Sequence, residues 1–159
     1  MKNRTIAHLS WNDARKASRV VAMGLAILSL SLPIPASAGD KSKLLTEVHF
    51  DPGSAEVTLG GRHKIQVAIA AIKKQNPREI HVVGFTDSTG EEQLNRVIAR
   101  KRADNVASLL AKHGITAPLV IEGKGETGAP YKTPNDVSEP LNRCVGIIAV
   151  GEAKQKTPL

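Results

Sequence analysis

In the stretch VVGFTDSTGEEQLNRVIARKRADNV, residues 82–106, two charged residues stand where packing alone does not ask for charge. Asp87 stands just past the apolar run Val82-Val83-Gly84-Phe85, with Thr86 between them. Arg102 lies downstream in a segment of helical pattern. On a helix at about 100° per residue, Ile98, Ala99, Ala103, Val106, Leu109 and Leu110 fall within one arc of roughly 140°. Arg96, Arg100, Lys101, Asp104, Ser108 and Lys112 fall on the other side. Arg102 lands in the middle of the apolar arc, and so does Asn95. An arginine is almost never buried alone, because taking an unpaired charge out of water is prohibitive. Arg102 therefore either packs its stem on the core and reaches water with its head, or faces a carboxylate under the rim of a sheet.

Asp87 is the natural neighbour for it. It sits at the carboxyl end of an apolar strand, where open α/β folds place ligands. Ser88-x-x-Glu91 has the form of a capping box, which predicts a helix start whose N–H groups attract anions. A carboxylate, backbone donors and a guanidinium fork together match a ligand that carries both an ammonium and a carboxylate, an amino-acid zwitterion. An unbroken helix from Gly90 would put Arg102 about 18 Å along its axis, too far for one small zwitterion. A shared site thus predicts a break near Val97–Arg100 that swings Arg102 back toward Asp87.

The elements that must position these residues are legible along the chain. Thr46–Phe50 reads as a strand and Asp51–Ala55 as a turn. From Leu59 to Gln75 the apolar positions Ile65, Ala68, Ile69 and Ile72 recur at helical spacing, and Asn76-Pro77 ends that helix. Glu79–Phe85 is a strand apolar enough to be central. The helix carrying Arg102 runs to His113-Gly114. Pro118–Gly123 and Cys144–Val150 are two more strands. The Gly- and Pro-rich segment Gly123–Leu141 between them is long enough to indicate function. The order is β-α-β-α-β-β, an α+β two-layer sandwich. Two βαβ crossovers predict parallel pairings, with the helices on one face of a mixed sheet and the last strand returning antiparallel.

The chain has 159 residues, enough for one ordinary domain, and a formal net charge of +7. Much of that surplus is local. Lys2, Arg4, Arg15, Lys16 and Arg19 face Asp13 alone in the first 38 residues, and the remainder is nearly balanced. After Arg19 comes the apolar run Val20–Leu32, then small residues at Ala36 and Ala38. These are the three regions of a secretory signal peptide, with cleavage expected after Ala38. The expected organisation is a signal peptide over 1–38, a short lead-in over 39–45, one domain over 46–150 and a polar tail over 151–159. Export to the periplasm follows, with no integral membrane span in the mature chain. The sole cysteine, Cys144, excludes an internal disulfide and reads as a small residue of a strand. No cysteine stands at the expected cleavage site after the apolar run, so a lipid anchor on the mature N-terminus is not expected.

Taken together, the residues resemble the signature of the OmpA C-terminal-like family, a peptidoglycan-binding domain. The family pattern TDxxGxxxxNxxLSxxRAxxV is matched by Thr86-Asp87, Gly90, Asn95, Ile98-Ala99, Arg102-Ala103 and Val106. FDPGSAEVTLGG (Phe50–Gly61), GKGE (Gly123–Glu126) with Pro130, and NRCV (Asn142–Val145) resemble further family segments in order. The resemblance implies an OmpA-like fold and non-covalent binding of peptidoglycan through the diaminopimelate of its stem peptide. It places the acid contact on Asp87 and the carboxylate grip on Arg102. Thr86, Asn95 and Arg143 become supporting ligand-binding candidates. It also implies a role in anchoring or organising an envelope complex, with no cofactor and no metal. The sequence departs from the pattern where Leu-Ser becomes Ile98-Ala99 and where the second arginine of NRRV becomes Cys144. These departures keep an alternative in view, a scaffold with the fold but without the ligand.

Other classes fit less well. Aspartyl-phosphate chemistry needs further acids around Mg²⁺, and an aspartic protease needs two such loops. Glycoside hydrolysis needs an opposed acid and base, which nothing in the spacing of Glu122 and Glu126 supplies. His63, His81 and His113 lack metal-ligand spacing. The reading is therefore not an enzyme. Nucleic-acid binding is also not expected. Basic pairs such as Lys73-Lys74 are usual on solvated helix faces, and three aromatics outside the leader (Phe50, Phe85 and Tyr131) are too few for base stacking.

Overall fold

The computed structural model describes residues 41–152. The predicted signal peptide, the start of the lead-in and the tail beyond Glu152 lie outside the described residues. Four strands and two long helices appear in order: β1 (Ser42–His49), α1 (Leu59–Gln75), β2 (Pro77–Phe85), α2 (Glu92–Lys112), β3 (Leu119–Gly125) and β4 (Cys144–Glu152). A short 3-10 turn, Pro140–Asn142, precedes β4.

The helix α1 has the expected limits, and its ends show why. The Thr58 hydroxyl accepts from the Gly61 N–H at 3.1 Å, satisfying one of the open donors of the first turn. Asn76 closes the helix in the left-handed conformation, φ 44°, and Pro77 cannot continue it. Strand β1 starts earlier than the β-branched run suggests, at Ser42, so the expected lead-in is largely strand.

The sheet is mixed, in the order β1-β4-β2-β3. Strands β2 and β3 are parallel, joined across α2, as the crossover rule requires. Strand β4 is antiparallel to both β1 and β2 and lies between them. The expected parallel pairing of the first two strands is thus corrected, because β4 takes the place between them. Its composition suits that place. Val145 and Ile147 bury into the main core, while Cys144, Ile148 and Val150 bury in a second cluster with Val83 and Phe85. A strand apolar on both faces belongs inside a sheet, whereas polar Ser42, Lys43 and Glu47 fit β1 to an edge. Cys144 is fully buried and forms no disulfide.

Both helices lie on one face. Ile65, Ala68, Ile69 and Ile72 of α1 and Ala103, Val106, Ala107 and Leu110 of α2 meet Val48, Ile80, Val82, Val145 and Ile147 of the sheet. Among the described residues no helix is long and apolar enough to cross a membrane.

The expected break in the second helix does not occur: α2 runs from Glu92 to Lys112 without interruption. Two features make a break unnecessary. The segment 86–91 carries the chain beyond the end of β2 before the helix begins, so later turns of α2, rather than its first, lie over the strand end. Glycines in the strands then let the helix backbone come close. A Cβ added at Gly84 would collide with the Ala99 carbonyl, and one at Gly123 would lie 2.6 Å from the Arg100 Cα. Gly84→Ala is therefore expected to destabilise the protein by about 2–3 kcal/mol, since a backbone contact cannot yield as a side chain does. Urea denaturation measures this, and an unchanged midpoint would mean that the helix is not seated on the sheet as described.

Candidate ligand-binding site

At the carboxyl end of β2 the chain buries an unusual amount of polarity. Six polar or charged residues are buried among the described residues: Thr86, Asp87, Asn95, Arg102, Asn142 and Arg143. The first four and Arg143 are the site candidates taken from the sequence.

Arg102 is 1% exposed, so its head does not reach water. Its Nη1 donates to the Phe85 carbonyl at 3.1 Å, at the last residue of β2. Its Nε donates to the Ser54 carbonyl at 2.8 Å and its Nη2 to the Asp51 carbonyl at 3.0 Å. The guanidinium also lies 5.2 Å from the Phe50 ring centroid. Burial lowers its pKa from the ordinary value, and the nearby Asp87 charge opposes that shift. Arg102 thus ties the turn after β1 to the end of β2. It shares the electrostatic neighbourhood of Asp87, but no direct contact joins the two.

The direct partner of Asp87 is Arg143, whose Nη1 donates to Oδ2 at 2.8 Å, with both side chains nearly out of water. The Thr89 hydroxyl donates to Oδ1 at 2.9 Å, and Ser138 approaches Oδ2 at 3.4 Å. The Arg143 Nε also reaches the Phe50 carbonyl at 3.4 Å. Arg143 comes from the turn into β4 and Asp87 from the end of β2, so the antiparallel pairing of those two strands is what brings them together.

Asn95 sits on the inner side of α2 and donates to the Thr89 carbonyl at 3.1 Å, fixing the loop that carries Asp87. The Thr86 N–H donates to the Gly125 carbonyl at 2.9 Å, while its hydroxyl is buried without a hydrogen-bond partner. The capping box does not form: α2 begins after Glu91, with no side-chain cap. Ser88 instead faces the long loop, donating to the Pro134 carbonyl at 2.8 Å and accepting from the Val137 N–H at 3.1 Å.

Sequence reasoning missed Ser88, Thr89 and Ser138 in these roles, and it missed Asn142. Asn142 pairs with both backbone groups of Tyr131, accepting at 2.9 Å and donating at 2.8 Å. Only its place beside Arg143 in the NRCV segment marked it. No group of acids, histidines and cysteine that could hold a metal ion exists among the described residues.

A mixed four-stranded sheet backed by two helices, with an acid and two arginines gathered at the end of its central strand, defines a small α+β domain whose polar site is built by three loops. The chain belongs to the OmpA family, whose model matches residues 49–143. Over 74 residues it is 38% identical to the probable lipoprotein YiaD of Escherichia coli K12, a match covering 46% of this chain and 33% of that protein. The chain therefore spans about a third of that relative's length. Among solved structures it is similar to the cell wall anchor of the T6SS from Pseudomonas aeruginosa, with 25% identity and a TM-score of 0.55. That match covers 65% of this chain and 76% of the other. The fold is also that of the peptidoglycan-associated lipoprotein from Burkholderia pseudomallei, at 24% identity and a TM-score of 0.57, covering 65% and 88% of the two chains.

Proposed function

We propose that this protein is a non-covalent peptidoglycan-binding module of the periplasm, and that its site takes the diaminopimelate of the stem peptide. The observation that carries the reading is the buried cluster of Asp87, Arg143 and Arg102 at the carboxyl end of β2. Its likeness to a cell wall anchor supports it. The zwitterionic end of diaminopimelate offers an ammonium to Asp87 and a carboxylate to the guanidinium side of the cluster. Arg143 already touches Asp87 and is the nearer cation, while Arg102 fixes the 51–54 turn and adds positive charge behind it. Thr86 and Asn95 shape the loop between them. Such a module, with its exported domain over 46–150, anchors or organises an envelope complex.

A second reading, a scaffold that keeps the fold and works through protein contacts, draws on the same cluster. Asp87 is already paired, and Arg102 already donates to three carbonyls of its own chain.

Co-sedimentation with purified sacculi separates the two. The protein is expected to pellet with sacculi containing diaminopimelate and to be released by free diaminopimelate. Sacculi with lysine at that stem position lack the side-chain carboxylate, and binding should weaken at least about tenfold with the loss of charge-assisted hydrogen bonds. Asp87→Asn should leave the protein in the supernatant. A wild-type protein that stays soluble with every sacculus removes the binding reading and leaves the scaffold.

A further inference from the structure

We infer that the outward face of α1 is a docking surface for an anionic phospholipid leaflet, on which the domain lies through this helix. No residue of α1 takes part in the hydrogen bonds of Asp87, Arg102 or Arg143, so the surface is separate from that cluster and the inference does not rest on the peptidoglycan reading.

The charge of α1 is one-sided. Its 17 residues hold Arg62, Lys64, Lys73 and Lys74 and no acid, not even in the first turn, where the helix dipole favours one. All four cations are exposed. Arg62, Lys73 and Lys74 make no ion pair or side-chain hydrogen bond among the described residues, and Lys64 lies 3.4 Å from the His49 Nδ1 rather than against a carboxylate. Two cations of α2 show the ordinary arrangement: Arg96 meets Glu92 at 2.6 Å and Arg100 meets Asp104 at 3.0 Å. Two adjacent lysines on a solvated helix are common, but a whole helix of cations without a counter-charge favours an anionic partner.

The apolar residues of the same face decide what kind of anion. With Ile65, Ala68, Ile69 and Ile72 toward the sheet, Leu59, His63, Val67, Ala70 and Lys74 fall within an arc of about 80° pointing the opposite way. Leu59 is 86% exposed and Val67 54%, and Leu59 is the most exposed large apolar side chain among the described residues. Packing within the domain explains neither. At about 100° per residue, Arg62 and Lys73 flank this ridge on one side and Lys64 on the other. Arg62 and Lys112 of α2 also line a groove of about 400 Å³ between the two helices, where Val57 and Leu109 add apolar surface and Glu56 is the one acid. Such a recess suits a phosphate headgroup with the start of its acyl chain. Apolar side chains interleaved with cations along a helix of about 25 Å make the pattern of a helix lying in a membrane interface. A leaflet offers a plane of phosphates above an acyl boundary and asks for no fixed fork geometry. Lysine, a point charge on a flexible stem, at three of the four cationic positions matches that demand.

The test is flotation of purified residues 39–159 with vesicles of phosphatidylglycerol and phosphatidylcholine in equal parts, against vesicles of phosphatidylcholine alone, at about 0.1 M salt. This stretch holds the whole described sheet and core, and it leaves out Val20–Leu32, whose apolar run would enter vesicles by itself. The protein is expected to float with the anionic vesicles only and to be released at about 1 M salt. Lys73→Gln combined with Lys74→Gln should weaken binding at least about tenfold, through the loss of two interfacial cations. Leu59→Gln combined with Val67→Gln should weaken it by a similar factor, through the loss of apolar contact with the acyl boundary. Neither change removes a buried side chain, so the melting temperature and co-sedimentation with sacculi should not move. Lys124→Gln combined with Lys132→Gln removes the same charge at and beyond β3, the far edge of the sheet from β1, on which α1 packs, and should bind as the wild type. Equal losses in this pair and in the α1 lysine pair overturn the located surface, and so does equal binding to neutral vesicles. A wild-type protein that ignores anionic vesicles overturns the lipid reading and leaves the cations of α1 to an acidic protein.

Discussion

Replacing Arg102 with alanine is expected to cost the protein about 3–5 kcal/mol of stability, read as a lowered midpoint in urea denaturation. The side chain is the largest of those fully buried among the described residues, and its removal takes three hydrogen bonds with it. The carbonyls of Asp51 and Ser54 belong to a partly exposed turn and can recover water. The bond to the Phe85 carbonyl is buried, where water cannot readily replace the lost donor. A void beside the Phe50 ring adds to the loss. Arg102→Lys should restore little, because the donors of an ammonium radiate from one nitrogen, whereas three separate guanidinium nitrogens serve the carbonyls of residues 51, 54 and 85. If alanine costs less than about 1 kcal/mol, the worth of one ordinary hydrogen bond, the three contacts do not hold in solution and the head reaches water after all.

The pair Asp87 and Arg143 should behave differently. Arg143→Met leaves a carboxylate with little solvent and two hydroxyl neighbours, and it should cost about 3–5 kcal/mol. Asp87→Asn keeps the shape but leaves the guanidinium without its counter-charge, and a loss in the same direction is expected. The double substitution removes both charges, and it should be no less stable than Arg143→Met alone, with a coupling of about 2 kcal/mol or more. Strict additivity in this cycle would mean that the 2.8 Å contact carries no net interaction. The cycle also bears on function. Asp87→Asn alone is expected to abolish binding, so a double variant that is folded and yet stays in the supernatant with sacculi separates loss of the site from loss of the fold.

Much of this site could be read before the structure, and for a physical reason. Burial of a polar side chain leaves a mark in periodicity, and Arg102 and Asn95 broke the apolar arc of a helix. Asp87 broke a strand at its end. The limits of α1 were equally legible, because Thr58 and Asn76-Pro77 are local signals. Pairings between distant segments were not. Nothing in the residues of β4 announces that it lies between β1 and β2 rather than at an edge, except its apolar character on both faces. The predicted helix break does not occur because the axial distance from Gly90 is not the distance to Asp87: residues 86–91 carry the chain beyond the end of β2, and later turns of α2 return over it. The three glycines that seat α2 against β2 and β3, Gly84, Gly123 and Gly125, act through contacts that sequence spacing does not encode. Ser88 was misread for a related reason. A serine followed by a glutamate three residues on looks like a helix start, but here its hydroxyl is taken by a loop far along the chain.

The position of β4 bears on how the chain acquires its shape. The last strand in sequence supplies hydrogen bonds to both β1 and β2, and without it β1 has no partner in the sheet. A chain that emerges N-terminus first, from a ribosome or through a narrow pore, therefore cannot close the sheet until residues 144–152 have cleared the exit. Until then the ion pair at Asp87 cannot form either, because Arg143 arrives with the same segment. Long-range closure of this kind makes folding slow relative to local helix formation. It also keeps the polypeptide threadable until that segment is free, and β4 completes the fold and the Asp87 cluster together.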